Sequence, residues 1–170
     1  MSDPETNPIL NHFKAMATYN QRSNDILYGA CADLADADRR KPRPVFFGSI
    51  HATLNHILLG DRIWMARFEG GSAPSTNLDA ILFDDFEALR GARRDMDARI
   101  SNFVEELTLA WLEGTFEYKN NSGKDCADPA AVLLAHFFNH QTHHRGQVHA
   151  LLSDTPVAPP SLDLHRVVLG

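Results

Sequence analysis

Apolar residues recur at helical spacing in four long stretches of this 170-residue chain, with turn-forming residues between them. The first runs from about Pro8 to Leu34, where Leu10, Phe13, Ala17 and Leu27 share a stripe that also holds Asn20 and Asn24. It stops before the charged, proline-containing DADRRKPRP. The second opens at Gly48-Ser49, with Ser49 suited to the N-cap, and continues through IHATLNHILLGDRIWMARFEG to Gly70-Gly71. The third begins at Asp84-Asp85-Phe86-Glu87, a capping-box-like start, and reaches about Leu107 with its charges outward. In the fourth, Asp128 is placed to cap and Pro129 to occupy the first helical position, and the helix runs to about Leu152. Between Leu109 and Asp125 the alternation Thr115, Phe116, Glu117, Tyr118, followed by Asn121-Ser122-Gly123, predicts a short extended segment or hairpin. The tail TPVAPPSLDLHRVVLG is proline-rich, then briefly apolar, and is expected to pack across one end of the molecule. The fold class these patterns predict is all-α: one domain over residues 1–170, an antiparallel four-helix bundle with a short extended or hairpin insertion before the last long helix.

Composition narrows the function. A chain that is 44% hydrophobic and 22% charged has the make-up of a folded globular protein. Its net charge of −6 lacks the basic footprint that supplies most nucleic-acid affinity, so no nucleic-acid partner is expected. The opening MSDPETNPIL has no basic segment followed by an apolar one, and no apolar run approaches the roughly 18 residues of a membrane span. The expectation is a cytoplasmic protein with no membrane partner. Cys31 and Cys126 are too few for a disulfide framework or a thiolate cage and read as two reduced thiols.

The unusual stretch is HFFNHQTHHRGQVHALL, residues 136 to 152, which sets five histidines into an otherwise apolar helix. Buried groups of this kind need hydrogen-bond partners or a ligand. At 100° per residue, with His140 as zero, His136 falls at about −40°, His143 at about −60°, His144 at about +40° and Gln147 at about −20°. Arg145 and His149 point elsewhere. Two imidazoles one turn apart can both reach one ion. Spacing leaves three pairs open: His140 with His144, His140 with His143, and His136 with His140. A metal needs more ligands than one helix comfortably gives, and His56 of the second helix is the candidate from outside. It shares a face with Thr53, Gly60, Ile63 and Arg67, while His51 lies about 140° away. Gly60, one turn after His56, costs about 1 kcal/mol against Ala and so marks a place where room is wanted. The competing reading is a structural network in which the histidines bond one another and Asn20 and Asn24; such networks are costly unless complete.

Three stretches carry a resemblance to a known family: YNQRSNDIL (19 to 27), FFGSIHATLNHILLGDRIWMARFEG (46 to 70) and HFFNHQTHHRGQVHALL. In kind and order the chain resembles the DinB-like (YfiT-like) metal-dependent bundle proteins. The resemblance implies a divalent ion held by three histidines, which fall by position on His56, His140 and His144. It leaves His143 as a neighbour and His136 as a lining residue. Arg22 stands where the family commonly has Trp. Three neutral imidazoles leave at least one position for water or substrate. Zinc or nickel suits such a set, and iron or manganese is compatible with it. The resemblance points to a metal-dependent enzyme of the thiol-dependent S-transferase or hydrolase type, acting on a small-molecule substrate with a low-molecular-weight thiol as partner, and to a homodimer. The alternative is a non-catalytic metal-binding or stress-response protein. No carboxylate neighbours His140 or His144, and Asp61, about 140° around its helix from His56, is expected to pair with another helix. Trp64, Trp111 and Phe137 are expected to fill core.

Overall fold

The computed structural model describes residues 7–170; Met1–Thr6, on which part of the leader-free reading of the N-terminus rests, lie outside them. Four long helices dominate: α1 (Pro8–Ala32), α3 (Ile50–Phe68), α4 (Phe86–Glu105) and α6 (Ala130–Leu152). Shorter elements join and follow them: α2 (Asp36–Arg40), α5 (Leu109–Glu113), β1 (Thr115–Lys119), β2 (Asp125–Pro129) and α7 (Leu164–Leu169). No helix among the described residues is long and apolar enough to cross a membrane.

The helix starts follow capping chemistry. Asn7 accepts from the Ile9 amide with Pro8 in the first turn, Ser49 accepts from Ala52, and Asp85 accepts from Ala88. Each side-chain oxygen satisfies an amide with no partner inside its helix. The start of α6 departs from expectation. Asp128 does not cap the helix, and Pro129 takes the N-cap in place of the first helical position; both end β2, paired with Phe116 and Thr115 of β1. The Asp128 carboxylate accepts from the Tyr118 hydroxyl at 3.0 Å and does not cap α6. The Ala130 amide donates to Gly114 at 3.0 Å, so the hairpin runs directly into the helix. Cross-strand pairing has won over a locally good capping signal. The expected hairpin forms between β1 and β2, but Leu109–Glu113, read as the start of that extended region, is a short helix capped by Thr108.

Each long helix packs against two others: α1 against α4 and α6, and α3 against α6 and α4. Leu27, Leu54, Ile57, Leu58, Leu89, Ile100, Leu134 and Phe137 are almost fully buried between them. The hairpin end is closed by aromatic contacts of Phe68 with Phe103, Trp111, Phe116 and Phe137. Phe137 thus fills core as expected, and the half-buried Trp111 packs against that core. The tail lies along α1 instead of across one end: Tyr19 donates to the Leu162 carbonyl, and Arg22 donates to the carbonyls of Val167 and Val168 at the end of α7. Arg22 therefore has a definite task here.

A charged network crosses the apolar core. Arg93 of α4 pairs with Asp61 of α3 at 2.5 Å and with Asp97, one turn along, at 2.8 Å. Gln141 of α6 donates to Asp61 at 2.8 Å, and Asn20 and Asn24 of α1 each donate to Asp97 at 2.9 Å. Arg145 of α6 donates to Asn20 and Asn24 and lies over the Tyr19 ring. Asn20 and Asn24 are therefore committed to this network and do not bond the histidines. Asp61 is fully buried, Arg93 is 1% exposed and Arg145 2%. Two carboxylates balance two guanidiniums. Removing one member leaves a buried charge without its partner, which costs about 3–5 kcal/mol, whereas an exposed pair contributes about 1 kcal/mol or less. Asp61→Ala is accordingly expected to lower unfolding free energy by about 3–5 kcal/mol in a urea titration, and Asp25→Ala, at the exposed Arg94 pair, by about 1 kcal/mol at most.

Candidate metal centre

His56 on α3 and His140 and His144 on α6 converge. The Nε2 atom of His56 stands 3.2 Å from Nε2 of both His140 and His144, and ligand atoms of the three rings all lie within 4.8 Å of one another. His56 and His144 are buried and His140 is half-buried. The position of the His140 ring depends on Gly60. A Cβ at that position would stand 2.8 Å from Cε1 of His140, closer than side chains tolerate. The missing side chain of Gly60 is filled by the His140 ring.

The hydrogen bonds at the far side of two rings determine what faces inward. The Nδ1 of His56 lies 2.8 Å from the carbonyl oxygen of Leu78. A carbonyl can only accept, so in the neutral ring Nδ1 carries the proton and Nε2 presents its lone pair. The Nδ1 of His144 lies 2.8 Å from Oε1 of Gln147, which assigns the same tautomer. Two lone pairs therefore face each other across 3.2 Å. His140 can donate one Nε2–H to one of them and cannot relieve their mutual repulsion. A cation shared by the three nitrogens does, and the 3.2 Å separations fit two metal–nitrogen bonds of about 2.0–2.1 Å meeting at one ion.

A proton is a poor choice for that cation. Burial pushes the His140 imidazole down to about 3, with His144 and His56 beside it lowering it further. Burial lowers His56 and His144 as well, against the opposing pull of the Nδ1 bonds to Leu78 and Gln147. The three rings are held neutral, the protonation state that a metal requires of imidazole.

Other candidates of the stripe stand apart from the convergence. His143 is exposed, its ring 4.8 Å from that of His144 and its Nε2 3.4 Å from the Gln147 amide nitrogen. His136 is exposed and meets the edge of Trp64, with its ring 6.2 Å from that of His140. His149 bonds the Pro160 carbonyl. His51 is turned to the other side of α3, where it bonds the Phe83 carbonyl at 2.9 Å. Asp61 is engaged by Arg93 and Gln141 and offers no carboxylate to the cluster.

Two partners of the site escaped sequence reasoning. Leu78 acts through a backbone carbonyl in the loop between α3 and α4, and nothing in a leucine's identity marks it. Phe47, in the turn closed at Gly48 with its φ of 79°, stacks on His56 at 3.8 Å and meets the edge of His144 at 5.6 Å. Its place directly before Gly48-Ser49 was the only available signal.

A sequence model of the DinB family matches residues 1–168 of the chain. No curated protein matches it. The depressed imidazoles bear on stability. Between pH about 3 and the ordinary imidazole value of about 6.5, the folded state carries fewer protons on the His140 ring than the unfolded chain does, and the lowered His56 and His144 act in the same direction. The His140 contribution is therefore present above about pH 6.5 and is lost as pH falls toward 3. Metal-free protein is expected to lose melting temperature between about pH 7 and 5, and His140→Leu to show a shallower loss; parallel slopes would refute the assignment.

Proposed function

The chain belongs to the DinB family, and on that premise we propose that it is a divalent-metal protein, an antiparallel four-helix bundle whose His56, His140 and His144 hold the ion. The observation that carries this reading is the pair of facing lone pairs on His56 and His144, fixed by Leu78 and Gln147, of which His140 can serve only one. An all-imidazole set favours zinc or nickel. With three protein ligands, a bound ion would supply a coordination position at which a water or thiol loses its proton near neutral pH.

The chain's own residues then divide the work. Leu78 and Gln147 hold the His56 and His144 rings in the tautomer that presents Nε2, as oxygen partners of ligating histidines commonly do. Phe47 covers one face of His56 and keeps water from its ring. His143, exposed beside His144 and within reach of Gln147, is the residue placed to accept a proton at the mouth of the site. By family resemblance the reaction is a thiol-dependent S-transfer or a hydrolysis on a small molecule. A second reading, non-catalytic metal binding or stress response, draws support from the commitment of Asp61 to Arg93 and Gln141, which leaves no carboxylate among the described residues at the cluster.

Purified protein is expected to retain one zinc or nickel ion per chain through dialysis and His140→Ala to retain none; equal metal content would remove the premise. A thiol-conjugation screen in which wild type and His140→Ala behave alike would favour the non-catalytic reading. Gly60→Ala gains about 1 kcal/mol of helix propensity but meets the His140 ring. The variant is expected to fold and to bind zinc at least about tenfold more weakly, the equivalent of about 1.4 kcal/mol, by competition with a chromophoric chelator.

A further inference from the structure

The largest cavity described in the molecule is not at the histidines. It has a volume of about 740 Å³ and lies between the loop that follows α3, at residues 70–77, and the β1–β2 hairpin. That volume suits a small metabolite. Its lining is polar, with Ser72, Ser75, Thr76, Asn77 and Asn120 offering hydroxyl and amide groups, and Arg67 at its wall.

Arg67 shares with the core residue Arg145, which reaches only the Asn20, Asn24 and Thr142 oxygens, the lack of a carboxylate partner among the described residues, but it stands at a cavity and not in the closed core. Arg22, Arg39 and Arg43 reach carbonyls, and Arg40, Arg93 and Arg99 reach carboxylates. Arg67 makes no ion pair with any described residue. Its Nη2 donates to the Asn121 amide oxygen at 2.7 Å, its Nε is buried without a partner, and Nη1 makes no hydrogen bond to any described residue. The guanidinium rests against two aromatic faces, 4.8 Å from the Trp64 ring centre and 5.3 Å from that of Tyr118. Burial lowers its pKa, and no carboxylate is among the groups that oppose this shift. Glu117, the one carboxylate of the lining, is exposed and does not pair with it, and Lys119 is taken by Asp125. A rigid, half-buried cation with its fork held open on the edge of a polar cavity is complementary to a planar or tetrahedral oxyanion.

We propose that this cavity is a binding site for a small molecule bearing a carboxylate or phosphate, with Arg67 as its counter-charge and Asn121, Trp64 and Tyr118 holding the guanidinium in place. The site stands whether or not an ion occupies the histidines. It lies on the same face of α3 as His56, eleven residues and about 16 Å along the helix axis. Trp64 stands between the Arg67 guanidinium and the His136 ring.

The test uses the full chain, labelled with ¹⁵N, titrated separately with inorganic phosphate and with succinate while sodium chloride holds the ionic strength constant. Saturable shifts are expected at the Arg67 Nε–H and at the amides of Ser72, Asn77 and Asn121, and the probe that saturates distinguishes a phosphate from a carboxylate ligand. Arg67→Gln is expected to weaken binding at least about tenfold and Arg67→Lys to fall between, because it keeps the charge and loses the fork. Arg62→Gln, which alters the arginine over Phe83, is expected to bind as wild type. The same spectra report whether each variant is folded. Failure of both probes to saturate at concentrations on the order of 10 mM, or equal affinity in Arg67→Gln, would overturn the proposal.

Discussion

The buried contact of Asp61 with Arg93 and Gln141 is what the site depends on, because it ties α3 to α4 and α6 at a single point where rotation of any of the three would strand a charge. Apolar side chains tolerate a small turn of one helix against another; an ion pair closed to water does not. With that point held, α3 can present His56 only toward α6. The geometry follows from residue spacing. Asp61 lies about 140° around α3 from His56, so one face meets the network and the other the histidines. On α6, Gln141 and Arg145 each follow a ligand candidate by one residue, and the two strips run side by side along the helix.

The histidine cluster shows how a neutral, buried arrangement of polar groups becomes specific for a cation. Three imidazoles alone could form a chain of N–H···N bonds. What prevents this is the oxygen behind two of them, since Leu78 and Gln147 both take the proton that would otherwise point inward. Burial then disfavours protonation. His140 has one Nε2–H for two lone pairs, so a shared cation satisfies what a single proton does not, and Gly60 provides the space in which His140 joins them.

Arg67 and Arg93 illustrate opposite uses of the same side chain. Arg93 is enclosed and paired with both Asp61 and Asp97, and its charge serves packing geometry. Arg67 is half-enclosed, supported by aromatic faces and one amide, with its charge unmatched at the edge of a polar cavity. Burial without a counter-ion is costly, and it is tolerated where a ligand supplies the missing charge.

The four long helices, the Ser49 cap, the acidic start of α4, the hairpin signal and the separation of His51 from His56 were all readable from period, capping chemistry and angle, because these depend on residues close together in the chain. The three-histidine set was legible only partly. Spacing on α6 allowed three pairs, and family resemblance chose His140 with His144; in the folded chain those two converge with His56. The start of α6 was misread because Asp128 satisfied a local rule while its real partner, Tyr118, lay ten residues away across a strand pair. Leu78, Phe47 and the Arg67 cavity were beyond sequence reasoning for a like reason: a carbonyl's direction, a ring's stacking partner and the absence of a counter-charge are properties of what the folded chain brings near. Local order determined which side chains share a helix face; only tertiary packing decided which faces meet, and with that the tautomers, the buried charges and the cavities.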